Sequence, residues 1–430
     1  MVLFVMVVSI LLLLVLTMPI AFAMGVGTLL AFLVDGSIGM TIIPQRMFAA
    51  LNSWPIMAIP LFMLAGLLME KGGITETLVH FANSLIGFVK GSLAMVAVVA
   101  SMLFSGISGS STANVAATGS MTIPAMKKQG YEPAFAAAVE ATASAIGPII
   151  PPSILMIMIG FITETSIARL FLGGLLPGLL VGFGMMFLVN RHAKKGGDAY
   201  LPTYKFSMKN IFITAKDAIP GLVLPLIIIF GIIFGVFTAT EAAGVAVIYG
   251  LIIALFYYKR IKFRDLPDIL FEAAILSSAV MFIVTTAYIF GWLVTVYQVP
   301  MMLSSFLQLH IQNPIYFLLI LNFTFLLIGM FLESFTAIIV FVPILFPIAI
   351  NYGIDPVHFG IIVCVNLAVG YITPPYGATL YVASGIAGVS IRKVTPVILP
   401  MVAMMVTVLI LVTYFPQVFM FIPNLLDLMG

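Results

Sequence analysis

The sequence consists of two similar halves, because a shift of 223 residues superposes one on the other without a gap. The pair Pro151-Pro152 then falls on Pro374-Pro375. Five of the six prolines between 106 and 177 coincide with prolines of 329–400, whereas random placement would align fewer than one. Self-similarity over this length indicates that one folding unit is used twice.

The composition places both units in a membrane. Hydrophobic residues make up 63% of the chain and charged residues only 8%, against about 25% charged in soluble domains. The apolar runs last 15 to 35 residues, which favours membrane helices over the short alternating strands of a barrel. The sequence therefore predicts an all-α polytopic membrane protein. A nucleic-acid role has no support, and the single Cys364 excludes an internal disulfide.

Each half follows the same predicted plan. Three spans are followed by an amphipathic stretch, an apolar hairpin with a polar or glycine-containing centre, a proline-broken span and a final span. We predict repeat 1 at 1–190 with its re-entrant hairpin at 91–127 and broken helix at 133–162, a cytoplasmic linker at 191–217, repeat 2 at 218–414 with its hairpin at 314–350 and broken helix at 356–387, and a C-terminal segment at 415–430. Residues 1–17 lack a preceding basic residue and a cleavage motif, so we predict a retained helix rather than a signal peptide.

The charges predict that the two repeats have opposite orientations. Five crossings per repeat bring the chain out on the side opposite to its start, so the second repeat is inverted. Placing 191–217 in the cytoplasm puts 16 of the 18 Lys and Arg residues inside and leaves Arg46 and Arg169 outside. This bias is the one that the positive-inside rule requires. Both termini are then predicted to be periplasmic.

The repeated proline pairs indicate where binding sites form. Proline inside a helix removes a backbone hydrogen bond, and a tolerated kink is the alternative explanation. Recurrence at one register favours a functional break. Inverted repeats with interrupted helices are typical of secondary transporters, whose sites lie near the bilayer midplane at the repeat interface.

The hairpin centres supply the matching polar groups. The first reads SGISGSSTANVAATG (Ser105–Gly119) and the second GMFLESFTA (Gly329–Ala337). Their hydroxyl, amide and carbonyl oxygens suit a hard cation, and helix N-termini suit an anionic substrate group. We predict sodium site 1 at Ser110, Ser111, Asn114, Gly147, Ile150 and Pro151; sodium site 2 at Gly329, Glu333, Ser334, Thr336, Gly370, Thr373 and Pro374; and substrate contacts at Arg46, Ser108, Thr112 and Ser334.

Each of these assignments has an alternative. Small polar residues also pack helices against one another, and Arg46 would equally serve as a snorkelling or partner-docking residue. Sodium is favoured over a proton because the centres are rich in neutral oxygens. A coupling proton would need a buried acid such as Glu140 or Glu333. Glu140 and Glu241 would also serve as structural partners of backbone groups. No cofactor other than the coupling ion is predicted.

An enzyme is the alternative from another class. The sequence GISG (Gly106–Gly109) matches the GxSG of rhomboid-like intramembrane proteases, whose serine needs a histidine base. The topology predicts that all four histidines lie outside the midplane: His80, His192, His310 and His358. Walker motifs are absent, which argues against ATP-driven transport.

Four motifs, SSTANVAATG, GPIIPPSI, TATEAAGVAVIYG and GYITPPYG, together with Gln45–Gly66, resemble the large membrane subunit of TRAP (tripartite ATP-independent periplasmic) transporters. The likeness runs along the whole chain. It implies an elevator-type, Na⁺-driven importer of organic acids, such as four-carbon dicarboxylates, keto acids or sialic acids, in a bacterial inner membrane. The implied partners are a periplasmic substrate-binding protein and a small four-helix membrane subunit, which we predict to be a separate chain. An H⁺- or Na⁺-coupled anion transporter of another elevator family is the closest alternative.

Overall fold

The computed structural model describes residues 1–195, 197, 200–202 and 205–427, and this part of the chain folds into helices joined by turns, without strands. Seven of the described helices are long and apolar enough to cross a bilayer, or eight if one bent pair forms a single span. The predicted all-α polytopic membrane fold is therefore confirmed.

The first half contains ten helices within the described residues, and a 3₁₀ turn at Pro55–Met57 precedes the fourth. They are α1 (Val2–Val15), α2 (Ile20–Asp35), α3 (Ile42–Leu51), α4 (Ala58–Lys71), α5 (Ile74–Ile86), α6 (Ser92–Ser108), α7 (Ser111–Lys128), α8 (Pro133–Ser144), α9 (Ile154–Thr163) and α10 (Ile167–Lys195).

The second half contains eleven helices over its described residues, with a π turn at Ile253–Tyr257 and a 3₁₀ turn at Phe263–Asp265. They are α11 (Met208–Ile233), α12 (Ala239–Ile252), α13 (Leu266–Val296), α14 (Val299–His310), α15 (Pro314–Phe331), α16 (Ser334–Asn351), α17 (Pro356–Gly370), α18 (Ala378–Ala387), α19 (Ile391–Tyr414), α20 (Pro416–Phe419) and α21 (Phe421–Asp427).

The helix ends repeat at the spacing of the sequence. Helix α16 begins and ends 223 residues after α7, and α17 begins 223 residues after α8. Both α8 and α17 begin at a proline, which suits the first helical position because its missing N–H has no intrahelical partner there. The second proline of each pair follows a cis peptide bond. Each pair lies in a non-helical break, so α8–α9 and α17–α18 are the two broken helices.

The third predicted span differs between the halves. Residues 42–71 form α3 and α4 with a 61° bend between them, whereas the equivalent α13 is one continuous helix of 31 residues. Pro55 begins the segment after the bend, and its equivalent is Ser278, which allows the helix to continue. The sequence pattern does not predict α3.

The helices on either side of the predicted linker 191–217 extend into it. Helix α10 continues to Lys195 and α11 begins at Met208. Lys and Arg are good helix formers, so the chain stays helical beyond its apolar part.

The broken helices lie at the centre of the molecule. All twelve residues of α8 are buried, as are all residues of α17 after its first. Both arms of the first hairpin, α6 and α7, pack against α8, and α15 of the second hairpin packs against α17. The second arms cross over, since α7 also packs against α18 and α16 against α9. Each hairpin therefore contacts both broken helices.

Candidate functional site

The tip of the first hairpin lies directly against the first helix break. A Cβ atom added to Gly147 would lie 3.0 Å from the carbonyl carbon of Ser110, and one added to Gly109 would lie 2.7 Å from the carbonyl oxygen of Pro152. Gly109 also has a φ of 59°, a left-handed conformation that glycine adopts without steric cost. Glycine thus lets the backbones of tip and break come within contact distance, which is the pairing that the sequence predicts.

The second tip and the second break approach even more closely. A Cβ atom added to Gly370 would lie 2.4 Å from the carbonyl carbon of Gly329 and 2.6 Å from its oxygen. Side-chain carbons do not approach a backbone this closely, so only glycine fits at Gly370. The carbonyl group of Gly329 therefore lies on the end of α17, where the helical hydrogen bonding stops.

Three hydroxyl groups at the tips are buried without a hydrogen bond: Ser111 Oγ, Ser334 Oγ and Thr336 Oγ1. Ser111 and Ser334 are equivalent in the two repeats, and each is the first residue of the second arm of its hairpin. Tyr371 approaches Ser334 from the second break. Nearly all buried polar side-chain atoms in proteins have a partner, so an orphan at the same place in both repeats is typical of a ligand position.

The other predicted ligands have different surroundings. Ser110 caps α7, its Oγ accepting from the Ala113 N–H at 3.5 Å. The Asn114 amide donates to the Ser101 carbonyl at 3.0 Å and to Ser105 Oγ at 2.9 Å. Because Ser101 and Ser105 lie on α6, this amide joins the two arms of the hairpin.

The predicted ligands of the second site and the break carbonyls are placed as follows. Thr373 Oγ1 donates to the Val369 carbonyl at 2.6 Å, and Glu333 is exposed at the N-cap of α16. Ile150, Pro151 and Pro374 lie in the non-helical breaks. The carbonyl oxygen of Pro151 would lie 3.6 Å from a Cβ added to Gly106, so it faces the end of α6.

Two of the predicted substrate contacts lie at the first tip and one lies elsewhere. Thr112 is exposed and its Oγ1 is 3.2 Å from Ser110 Oγ, while Ser108 Oγ lies 3.4 Å from the Ser110 carbonyl oxygen. Arg46 is on α3, with its guanidinium carbon 5.2 Å from the centre of the Trp292 ring. This cation–π geometry satisfies the charge of Arg46 away from the tip hydroxyls.

The two hairpins have different neighbours, which the sequence does not predict. Helix α16 packs against α13, whereas the equivalent pair, α7 and α4, makes at most marginal contact within the described residues. As a result Thr112, Ala116 and Ser120 form an exposed stripe on α7. Their equivalents on α16 are at least partly buried: Phe335, Ile339 and Pro343. A crevice of about 380 Å³ lies between α9, α13 and α16.

Glu140 is the other functional candidate with an unexpected environment. It lies in α8, is fully buried, and accepts hydrogen bonds from side-chain hydroxyls on both arms of hairpin 1. The sequence flags it only as an intramembrane acid, and the prediction that it would bind backbone groups is wrong. For Glu241 that prediction is correct, because its Oε2 accepts from the Thr238 N–H at 2.8 Å in a capping box.

The geometry does not assemble a serine protease site. Ser108 Oγ has the Ser110 backbone as its neighbour, and buried His358 lies 2.8 Å from the Val412 carbonyl oxygen. His192 pairs with Tyr200 and His310 with the Phe306 carbonyl. A general base needs hydrogen-bond reach to its nucleophile, and the described contacts of these histidines are all elsewhere.

Comparison with known proteins identifies relatives along nearly the whole chain. Residues 7–418 match the family model of the tripartite ATP-independent periplasmic transporter, DctM component. The chain is 38% identical to the C4-dicarboxylate TRAP transporter large permease protein DctM of Pseudomonas aeruginosa, over 94% of this chain and 93% of that protein. It is also 38% identical to the sialic acid TRAP transporter large permease protein SiaM of Vibrio cholerae, over 95% of each.

Two further similarities concern a longer protein and a solved structure. The isethionate TRAP transporter permease protein DctMQ of Oleidesulfovibrio alaskensis is 40% identical over 95% of this chain, which spans 64% of that protein. The crystal structure of the Alcanivorax borkumensis YdaH transporter superposes with a TM-score of 0.62 at 13% identity, over 88% of this chain and 87% of that one. At this identity the likeness concerns the fold.

Proposed function

Since the chain belongs to the DctM component family of tripartite ATP-independent periplasmic transporters, we propose that it is the large permease of an importer driven by sodium. A periplasmic binding protein delivers an organic acid, and a small membrane subunit completes the complex. The relatives named for a C4-dicarboxylate, sialic acid and isethionate all handle small anions, so we propose a substrate of this class. The chain is a multi-pass inner-membrane permease and not an enzyme.

Sodium coupling is supported by one observation above all, the pair of buried and unsatisfied hydroxyls at Ser111 and Ser334. A buried hydroxyl without a partner costs ~1–3 kcal/mol, and the chain carries it at both repeats. The neighbouring breaks add backbone carbonyls that the helices do not use, next to Gly147 and Gly370. Neutral oxygens from hydroxyls and carbonyls match the preference of a hard monovalent cation. A proton would instead need a titratable group at the tips, and Glu333 keeps that alternative open.

An elevator movement is supported by the unequal packing of the two hairpins. Equivalent segments of an inverted repeat exchange environments when the transporter changes state. Here α16 packs against α13 and α7 leaves its polar stripe exposed. We propose that the opposite state buries this stripe against α4 and exposes the corresponding face of α16.

Reconstituted transport tests the proposal. We expect proteoliposomes that contain this chain, its small subunit and its binding protein to accumulate an organic acid only when an inward Na⁺ gradient and the binding protein are both present. K⁺ or choline at equal concentration serves as the control for the membrane potential and osmotic strength. Equal uptake driven by a pH gradient without Na⁺ would contradict sodium coupling and favour the proton alternative.

Cysteine labelling tests the inverted orientation. We expect Lys128→Cys to react only with reagent on the cytoplasmic side and Asn351→Cys, at the equivalent position, only from the periplasmic side. Both positions are exposed, and the native Cys364 is fully buried, so its background reaction should be low. The unsubstituted chain is the control. Labelling of both cysteines from one side would show that the repeats share an orientation.

A further inference from the structure

Glu140 is a buried acid that lacks a positive partner. It lies in the middle of α8 with none of its surface exposed. Among the described residues no Lys, Arg or His forms an ion pair with it. Burying a carboxyl group in a membrane protein is costly, and such groups are usually functional. The site proposed above does not use this residue.

Hydroxyl groups from three helices surround the carboxyl group. Ser101 on α6 donates to Oε1 at 3.2 Å and Ser144 on α8 at 3.4 Å. Thr122 on α7 donates to Oε2 at 2.6 Å, and Thr118 on α7 donates to Oε1. The carboxyl group therefore joins both arms of hairpin 1 to the broken helix. The direct contacts indicate hydrogen bonds rather than ligation of an ion between the oxygens.

The same hydrogen bonds continue to the hairpin tip. Thr118 Oγ1 also lies 2.8 Å from the Asn114 carbonyl oxygen and 3.2 Å from Asn114 Oδ1. The Asn114 N–H in turn donates to the Ser110 carbonyl oxygen at 3.1 Å, and Ser110 contacts Gly147. Glu140 is thus connected to the tip along α7, while α8 itself leads from Glu140 to the break that faces this tip.

Helix α7 is also shaped to approach this acid. A Cβ atom added to Gly119 would lie 2.9 Å from Glu140 Cγ, so glycine allows the backbone of α7 to pass close to the stem of the side chain. Only the first repeat has this arrangement. The residues equivalent to Thr118, Thr122 and Glu140 are apolar: Phe341, Leu345 and Val363. In repeat 2 the amides of Asn322 and Asn366 link α15, α17 and α19 instead, with Thr413.

We infer that Glu140 is a positioning residue that holds hairpin 1 against the broken helix α8–α9 and thereby sets the cation affinity at the first tip. The inference rests on the proposed function, because it assumes a cation at Ser111. A group that holds the ligands without touching the ion acts as an outer-shell partner, and loss of such partners typically lowers metal affinity by about 10–100-fold.

Na⁺ titration of uptake tests this inference. Glu140→Ala should raise the Na⁺ concentration for half-maximal uptake by ~10-fold or more, with the maximal rate at saturating Na⁺ preserved within about twofold. Glu140→Gln should raise it by only about two- to threefold, because the amide keeps hydrogen bonds to the same hydroxyls. Thr142→Val is the matched control. Thr142 is buried in the same helix but bonds to the Ala138 carbonyl, away from hairpin 1, so it should leave the titration unchanged.

A second readout separates positioning from general destabilisation. In detergent, Na⁺ should raise the melting temperature of the wild-type complex above its value in choline chloride, because a ligand stabilises the state that binds it. Glu140→Ala should lose most of this increment. If Glu140→Ala does not fold, Glu140→Gln and Thr118→Val decide, and each should shift the half-maximal Na⁺ concentration in the same direction.

The outcomes distinguish the inference from the function on which it rests. Wild-type uptake without Na⁺ dependence would overturn both. Na⁺-dependent wild-type uptake with unchanged Na⁺ titrations in the Glu140 and Thr118 variants would overturn the inference alone. A loss of maximal rate at an unchanged half-maximal concentration would also overturn it, since it would assign Glu140 to the conformational change instead.

Discussion

Replacing Gly370 with alanine should raise the Na⁺ concentration for half-maximal uptake by at least ~10-fold. The added Cβ would lie 2.4 Å from the backbone of Gly329, and no side-chain rotation relieves a contact between a Cβ and a backbone. The hairpin tip must therefore move away from the end of α17. Overpacking of this kind costs about 1–3 kcal/mol, and each 1.4 kcal/mol corresponds to a factor of about ten in binding. Na⁺ titration of uptake in proteoliposomes measures the effect.

Gly147→Ala should have the same effect at the first tip but a smaller one, because its Cβ would lie 3.0 to 3.1 Å from Ser110 and Ser111. Gly385→Ala is the matched control. Gly385 lies in α18 of the same broken helix as Gly370, and a Cβ there meets nothing within 4 Å. Alanine at that position should support wild-type uptake. A Gly370→Ala protein with wild-type Na⁺ titration would show that close packing of tip and break is not required.

The pairing of each tip with its break could be predicted from the sequence because glycine and proline act locally. Proline fixes where the helical hydrogen bonds stop, and glycine marks where two backbones meet. Both types recur at one spacing, so the register of the two halves specified which tip faces which break. The starts of α8 and α17 at prolines follow from the same local chemistry.

Other features depend on residues that are far apart in the sequence. The bend before α4 depends on Pro55, which the second half replaces with Ser278, and a search for similarity between halves overlooks such a difference. The hydroxyl sheath of Glu140 joins α6, α7 and α8. Ser and Thr are also ordinary packing residues in membrane helices, so their pattern alone does not reveal the carboxyl group that they surround.

Arg46 illustrates why the sequence could not settle the substrate contacts. A basic residue on the outer side of a mostly neutral chain suggests an anion site, but a guanidinium also stacks on aromatic rings. The position of Trp292, which stacks on Phe32 with ring centres 5.9 Å apart and receives Arg46 on its ring, depends on the packing of α2, α3 and α13. No local pattern in the sequence specifies that packing.

Replacing Ser111 or Ser334 with alanine should have opposite effects on stability and on sodium binding. Without Na⁺, each variant should be as stable as the wild type or more stable, because the substitution removes a buried hydroxyl that makes no hydrogen bond and whose burial costs ~1–3 kcal/mol. With Na⁺, the half-maximal concentration for uptake should rise about tenfold in each variant, because a ligand oxygen is lost. Melting temperatures in NaCl and in choline chloride, together with Na⁺ titration of uptake, measure both effects.

The opposite signs distinguish a ligand from a packing residue. A hydroxyl that only packs helices would change stability equally in both salts and leave the Na⁺ titration unaltered. Ser384→Ala is the matched control, since Ser384 Oγ is also buried without a hydrogen bond but lies in the second half of α18, beyond the break. It should stabilise the protein in both salts without altering Na⁺ dependence. Ser111→Ala and Ser334→Ala proteins that behave like this control would remove both hydroxyls from the cation sites, and with them the main support for sodium coupling.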